Sequence, residues 1–176
     1  MTNKLFSVRK TVLCALCAAL LAISAWIVFP ATVPFTMQTF ALFFTVGLLG
    51  TRAAVATTAV YILLGAVGLP VFSGFTGGVG VLFAPSGGYI LGFIPAVAIC
   101  GIVLGRVKRV FCVFCSMLIG LAVIYLFGSV YFSLLHNVSI FTALLTCVLP
   151  FIPLDIVKIV LAATLSLKMR KYLCLK

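Results

Sequence analysis

From Thr11 to Leu167 only six charged side chains interrupt the chain, singly or in short clusters between long apolar runs. A soluble domain carries about 25% charged residues. This chain carries 7% and is 65% hydrophobic, too little charge to cover a water-facing surface. Crossing ~30 Å of hydrocarbon takes about 20 apolar residues, so a chain of 176 residues holds about six crossings with short connections. The expected fold is an all-α integral membrane protein, a single membrane domain over residues 1–176 without a separate extramembrane unit. The first apolar run is longer than a signal-peptide core of about 7–15 residues and reads as a span.

Proline, glycine and charge place the spans at about 11–29, 36–50, 53–69, 89–105, 110–135 and 154–168. A Gly-rich connection, VFSGFTGGVGVLFAPSGG, covers 71–88. A short helix is expected over 139–149, then a break at Pro150 and Pro153. No internal repeat is visible, so an inverted-repeat carrier has no support.

The formal net charge of +11 does not point to nucleic acid, because the basic residues sit between spans rather than on one face. Lys4, Arg9 and Lys10 precede the first span and Arg52 follows the second. Arg106, Lys108 and Arg109 follow the fourth, and Lys168, Arg170, Lys171 and Lys176 follow the sixth. Eleven of the 12 basic residues thus fall on one side of a six-span arrangement, and the remaining connections carry none. The positive-inside rule makes that side, and both termini, cytoplasmic. Trp26, Tyr89 and Tyr131 fall near the expected outer ends, as interface aromatics do.

The twelfth basic residue, Lys158, and the single acid, Asp155, lie inside the last span. Counting back from Lys168 at about 1.5 Å per residue puts Asp155 roughly 20 Å and Lys158 roughly 15 Å above the inner face. An ionised group there costs a few kcal/mol, and an i, i+3 spacing puts both on one helix face. One reading is an ion pair that only holds the bundle. The favoured reading is a pair lining a polar cavity that meets a ligand. The proline break beside it agrees, since irregular backbone at membrane depth is tolerated only inside protein or around a cavity. Gln38, a donor and an acceptor, suits either the same cavity or a packing role.

The Gly-rich connection has no Lys and lacks the phosphate-cradle pattern. It suits either a lid over the cavity or a plain re-entrant connector. Ala15, Ala18, Ala19 and Ala22 give two small-residue spacings of four on the first span, for packing within the bundle or for a partner membrane protein. Gly88/Gly92 and Gly101/Gly105 read as internal packing. Cys14/Cys17 and Cys112/Cys115 have C-x-x-C spacing, but only one His is present, so they read as packing residues and no metal or other cofactor is expected. No Ser/His/acid or paired-carboxylate site can be assembled, so an enzyme is not expected.

VPFTMQTFALFFTVGLLGTRAA, VYILLGAVGLPVFSGFTGGVGVLFAPSGGYILGF and LPFIPLDIVKIVLAA occur in that order. Together they resemble the BioY biotin transporters, the substrate-binding S components of energy-coupling-factor (ECF) transporters. The resemblance implies a six-helix S-component bundle that captures biotin from outside. It also implies partnership with a membrane T component and two ATPases, in the inner membrane of a bacterium. The span-one alanines would dock the T component. Asp155 would accept a ureido N–H and Lys158 would donate to the ureido carbonyl, with Gln38 and Tyr89 as further polar contacts. The loop carrying Phe75, Gly78, Ser86, Gly87 and Gly88 would close over the ligand. The chain departs from the family pattern at Leu154, where Gly is common, and in APSGGY, where GPTGGY is usual. A carrier for another small vitamin, as an S component or coupled to protons through Asp155, is the alternative.

Overall fold

The computed structural model describes residues 8–29, 34–106 and 110–173. Pro30, Lys4, Lys108, Arg109, Cys174 and Lys176 lie outside them. Seven α-helices account for most of the described chain: α1 Val8–Trp26, α2 Gln38–Leu49, α3 Thr51–Ala66, α4 Gly87–Arg106, α5 Val110–His136, α6 Ile140–Cys147 and α7 Ile152–Tyr172. Val8–Trp26, Gly87–Gly105, Val110–His136 and the continuous stretch Ile140–Tyr172 are long and apolar enough to cross a membrane, whereas α2 and α3 are shorter.

α2 is the hub, packing against α1, α3, α4, α5 and α7. A helix apolar all round belongs in an interior. Ala41, Leu42, Phe43, Thr45, Val46, Gly47 and Leu48 are accordingly all buried. At about 1.5 Å per residue, its 12 residues span roughly 18 Å, less than the hydrocarbon thickness. It is preceded by an antiparallel pair of two-residue strands, β1 Val28–Phe29 and β2 Phe35–Thr36, with Val28 opposite Thr36. The first span was expected to stay helical to residue 29. Instead α1 stops at Trp26, where the strand pair begins, and the Ser24 and Ile27 carbonyls accept from Met37 N. At its other end α2 is joined to α3 by Gly50 alone, at φ 78°, a left-handed conformation that glycine adopts without steric cost.

The core runs through Leu21 of α1, Phe43 and Val46 of α2, Tyr61 of α3, Val97 of α4, Met117 and Ile124 of α5 and Ile159 of α7. Leu63, Leu126, Phe141 and Val157 are exposed on the outside. Such an inside-and-outside apolar distribution is that of a multi-pass membrane protein. α4 and α5 share the most extensive interface. A methyl group on Gly88 would lie 2.2 Å from Tyr131 Cβ, and one on Gly92 3.0 Å from Phe127 Cβ. Gly101 packs as closely on Thr51 of α3, but Gly105, expected to pack likewise, has nothing within 4 Å among the described residues. Pro95 sits within α4, where it removes one backbone bond.

The expected loop 71–88 is structured by two 3-10 turns, Ser73–Phe75 and Val79–Phe83. It is anchored rather than loose. Phe72 is fully buried against the face of Gly65, Phe72 N donates to Thr76 O, and Gly78 N donates to Gly65 O at 2.7 Å. The proline break is also tighter than expected. Only Leu149–Phe151 forms a 3-10 turn, and Pro153 occupies the first turn of α7, where its missing N–H costs nothing. Ser139 caps α6 by accepting from Thr142 N at 3.1 Å, so the Asn137-Val138-Ser139 stretch is a turn and cap.

Gly88→Ala should destabilise the protein by about 1–3 kcal/mol, because the methyl meets the root of a side chain that cannot swing aside. Gly105→Ala should be neutral or stabilising by up to ~1 kcal/mol. Thermal unfolding in detergent checks both.

Candidate functional site

α2, α4, α5 and the start of α7 enclose a cavity of about 380 Å³, roofed by Ser73, Thr76, Val81 and the segment Ala84–Ser86. This is within the range of small-molecule sites. It lies at the end of the bundle away from Arg52 and the Lys168–Lys171 cluster. At that opposite end, Gly47 of α2 packs on Ser166 of α7 and Met117 of α5.

Asp155 and Lys158 form one wall and are 3% and 4% exposed. Burying both charges costs several kcal/mol each unless their bonding is complete. The first turn of α7 points both into the bundle, and Lys158 Nζ lies 2.9 Å from Asp155 Oδ1. Two further acceptors come from the chain entering α2: Thr36 O at 2.6 Å and Thr39 Oγ1 at 3.2 Å. All three ammonium protons are therefore engaged. The Phe35 ring covers the same group, its centroid 3.4 Å from Nζ, a cation–π contact. Phe151 stacks on Phe35 at 4.9 Å.

Asp155 is held just as fully. Oδ1 also accepts from Thr39 Oγ1 at 2.9 Å, and Oδ2 accepts from Tyr125 Oη at 2.6 Å. A carboxylate offers about four acceptor sites, so three are filled and the free one is on Oδ2. The pair is thus complete without a ligand, yet still presents one acceptor to the cavity.

Gln38 lines the cavity next to the pair. Its Oε1 accepts from Thr36 Oγ1 at 2.9 Å and its Nε2 donates to Tyr61 Oη. Tyr61 Oη in turn donates to Val71 O at 2.9 Å. Tyr89, expected near an outer span end and as a polar contact of the ligand, lines the cavity, with Phe93 and Ile90 on the same helix. Its buried hydroxyl makes no hydrogen bond among the described residues.

Of the residues singled out from sequence, Asp155, Lys158, Gln38, Tyr89 and Ser86 meet around this cavity. Phe75, Gly78, Gly87 and Gly88 do not line it. Phe75 is exposed and stacks on Trp26 at 4.8 Å, while Gly78 stands at φ 97°. Gly87 abuts the Leu82 carbonyl and Gly88 packs on α5. Sequence reasoning missed Tyr125, Thr39 and Tyr61. Tyr125 carried a faint signal: a hydroxyl in the middle of a span must find a partner, whereas interface tyrosines sit at span ends.

A model of the BioY family matches residues 1–174. The chain is 35% identical over 165 residues to the biotin transporter BioY of Thermotoga maritima, covering 93% of this chain and 96% of that protein. It is 37% identical over 159 residues to the probable biotin transporter BioY of Pyrococcus horikoshii, covering 90% and 94%. Among solved structures, the S-component for biotin from an ECF-type ABC transporter superposes with a TM-score of 0.89 at 26% identity, covering 97% of this chain and 95% of that chain. The cavity around Asp155 and Lys158 therefore sits in a fold and a sequence shared with these transporters, and the chain belongs to the BioY family.

Proposed function

We propose that this chain takes up biotin, binding it in the cavity walled by Asp155 and Lys158 and passing it to the cytoplasm. The observation that carries this reading is the buried ion pair opening on a cavity of about 380 Å³. Biotin brings a neutral ureido ring with two N–H donors and one carbonyl acceptor, an apolar sulfur ring and a carboxylate tail. A ureido N–H suits the free site on Asp155 Oδ2, a charge-assisted bond in low dielectric. Phe35, Phe93, Ile124 and Phe151 supply apolar surface for the ring system. Lys158 balances the carboxylate and reaches a ligand carbonyl only by giving up one of its present partners.

The chain is a single membrane domain. Six helices cross the bilayer (α1 to α5 and α7), with α6 as a short outer helix. Both termini are cytoplasmic, because Arg9, Lys10, Arg52, Lys168, Arg170 and Lys171 gather at one end. The cavity then opens outward, and the membrane is the inner membrane of a bacterium. Uptake is energised by partners, an ECF T component and two ATPases, a reading supported by the likeness to the S-component for biotin from an ECF-type ABC transporter. On α1, Ala15 and Ala19 are exposed, while Cys17, Leu21, Ser24 and Ala25 turn inward. With the half-buried Ala18 and Ala22 they make a flat strip on which a T-component helix can lie.

Calorimetric titration of the detergent-purified protein with biotin should show tight binding near one to one; absence of heat from folded protein would overturn the reading. Asp155→Ala or Lys158→Ala should each weaken binding by at least ~2 kcal/mol, about 30-fold, since each strands a buried charge. The double variant Asp155→Leu/Lys158→Met removes both charges together. It should fold as well as the natural protein and fail to bind; binding by this variant would make the pair structural only. Ala19→Leu should leave biotin binding intact but slow uptake into cells, and unimpaired uptake would exclude α1 as the docking face.

A further inference from the structure

The hydrogen bonds around Gln38 run in one direction only. Val71 O is a backbone carbonyl and can only accept, so the single proton of Tyr61 Oη goes to it, at 2.9 Å. Tyr61 Oη is then left as an acceptor toward Gln38, which must turn its NH₂ end to it. With Nε2 fixed there, Oε1 faces Thr36 Oγ1, which donates to it at 2.9 Å and itself accepts from Gln38 N at 3.3 Å. A flipped amide would set Oε1 against a tyrosine with no proton left to give. The Val71 carbonyl, ten residues along the chain from Tyr61, thereby dictates which way a side chain in the cavity wall points.

The consequence concerns what the cavity offers. Gln38 Nε2 has a second N–H, with no acceptor among the described residues, and Gln38 lines the cavity. The Lys158 ammonium has no proton to spare, its three being engaged by Asp155, Thr36 and Thr39. We propose that Tyr61 is a positioning residue for ligand recognition: by directing its proton to Val71, it locks Gln38 with an N–H toward the cavity, and this N–H, rather than Lys158, meets the carbonyl acceptor of the ligand. This rests on the reading of a cyclic urea as ligand. Tyr61 touches no ligand itself. It is 1% exposed, and its ring is held edge-on by Phe72 at 5.8 Å, so the hydroxyl has no freedom to turn away.

The test is a double-mutant cycle read by biotin titration of the full chain. Gln38→Leu should weaken binding by about tenfold, the loss of one desolvated hydrogen bond. Tyr61→Phe keeps the ring against Phe72 and should weaken binding roughly three- to tenfold by releasing the amide. In the Gln38→Leu background, Tyr61→Phe should then change affinity by less than about twofold. Independent, multiplying losses would overturn the proposal, because a merely structural tyrosine costs the same in both backgrounds. Gln38→Glu supplies a second arm that does not depend on Tyr61→Phe folding. It keeps the shape but has no N–H, and should bind no better than Gln38→Leu; natural affinity in Gln38→Glu would also overturn the proposal. Failure of the unmodified protein to bind biotin at all would instead overturn the biotin reading, so the two failures are told apart.

Discussion

Two opposite charges buried in hydrocarbon set the terms for the rest of this structure. Asp155 and Lys158 are almost wholly buried, and each would cost several kcal/mol if its bonding were incomplete. The fold answers by bringing four other elements to the first turn of α7. Thr36 arrives on β2, Thr39 on α2 and Tyr125 on α5, while Phe35 and Phe151 close over the ammonium. The short α2 follows from this. Had the helix begun at Phe35, the Thr36 carbonyl would be turned along the helix axis toward the following turn. Ending the regular structure at Gln38 frees that carbonyl for Lys158, and pairing β2 with β1 keeps the extended backbone bonded at membrane depth.

Close packing below and beside the cavity makes that arrangement possible. Gly47 lets α2 lie against Ser166 and Met117, and Gly88 and Gly92 let α4 lie against α5. Close approach of backbones at these points leaves the interior dense, so the open volume is confined to the end where the polar groups converge. The Gly-rich segment completes it from above. Phe72 acts as a plug that pins this roof to α3, and Tyr61 ties the same segment to Gln38 through Val71.

Much of this was legible in the sequence, and the illegible part has a physical explanation. Asp155 and Lys158 stood out because a charge inside an apolar span is costly to keep unless something uses it. Gln38 was legible for a weaker version of the same reason. Threonines are different: their hydroxyls can be satisfied by a carbonyl one turn back, as in Thr45, Thr57 and Thr164, so nothing in the sequence separates these from Thr39, and Tyr125 carried only the faint signal of a hydroxyl in mid-span. Tyr89 has two readings in the sequence, an aromatic near a span end and a polar contact of the ligand, and it lines the cavity wall. The glycines of 71–88 suit tight turns and close backbone approach, and Gly77 and Gly87 do lie against the Leu69 and Leu82 carbonyls. Gly65 and Phe72, the pair that pins the roof, look like ordinary apolar neighbours in the sequence. Spacing along the chain does not say which side chains meet across helices.

A carrier spends part of every cycle empty, and the site is built for that state as well. An ion pair that relied on its ligand for completion would leave a stranded charge in hydrocarbon after each release, at a cost of several kcal/mol. Here Lys158 is fully bonded by the protein and Asp155 holds three partners of about four. The ligand therefore adds a bond to a set of groups already fixed in position, and little ordering of side chains remains to oppose binding. The same completeness limits what fits. A second cation has no charge left to neutralise and an anion meets no free ammonium proton, so a neutral donor–acceptor ring is the chemistry that this wall favours.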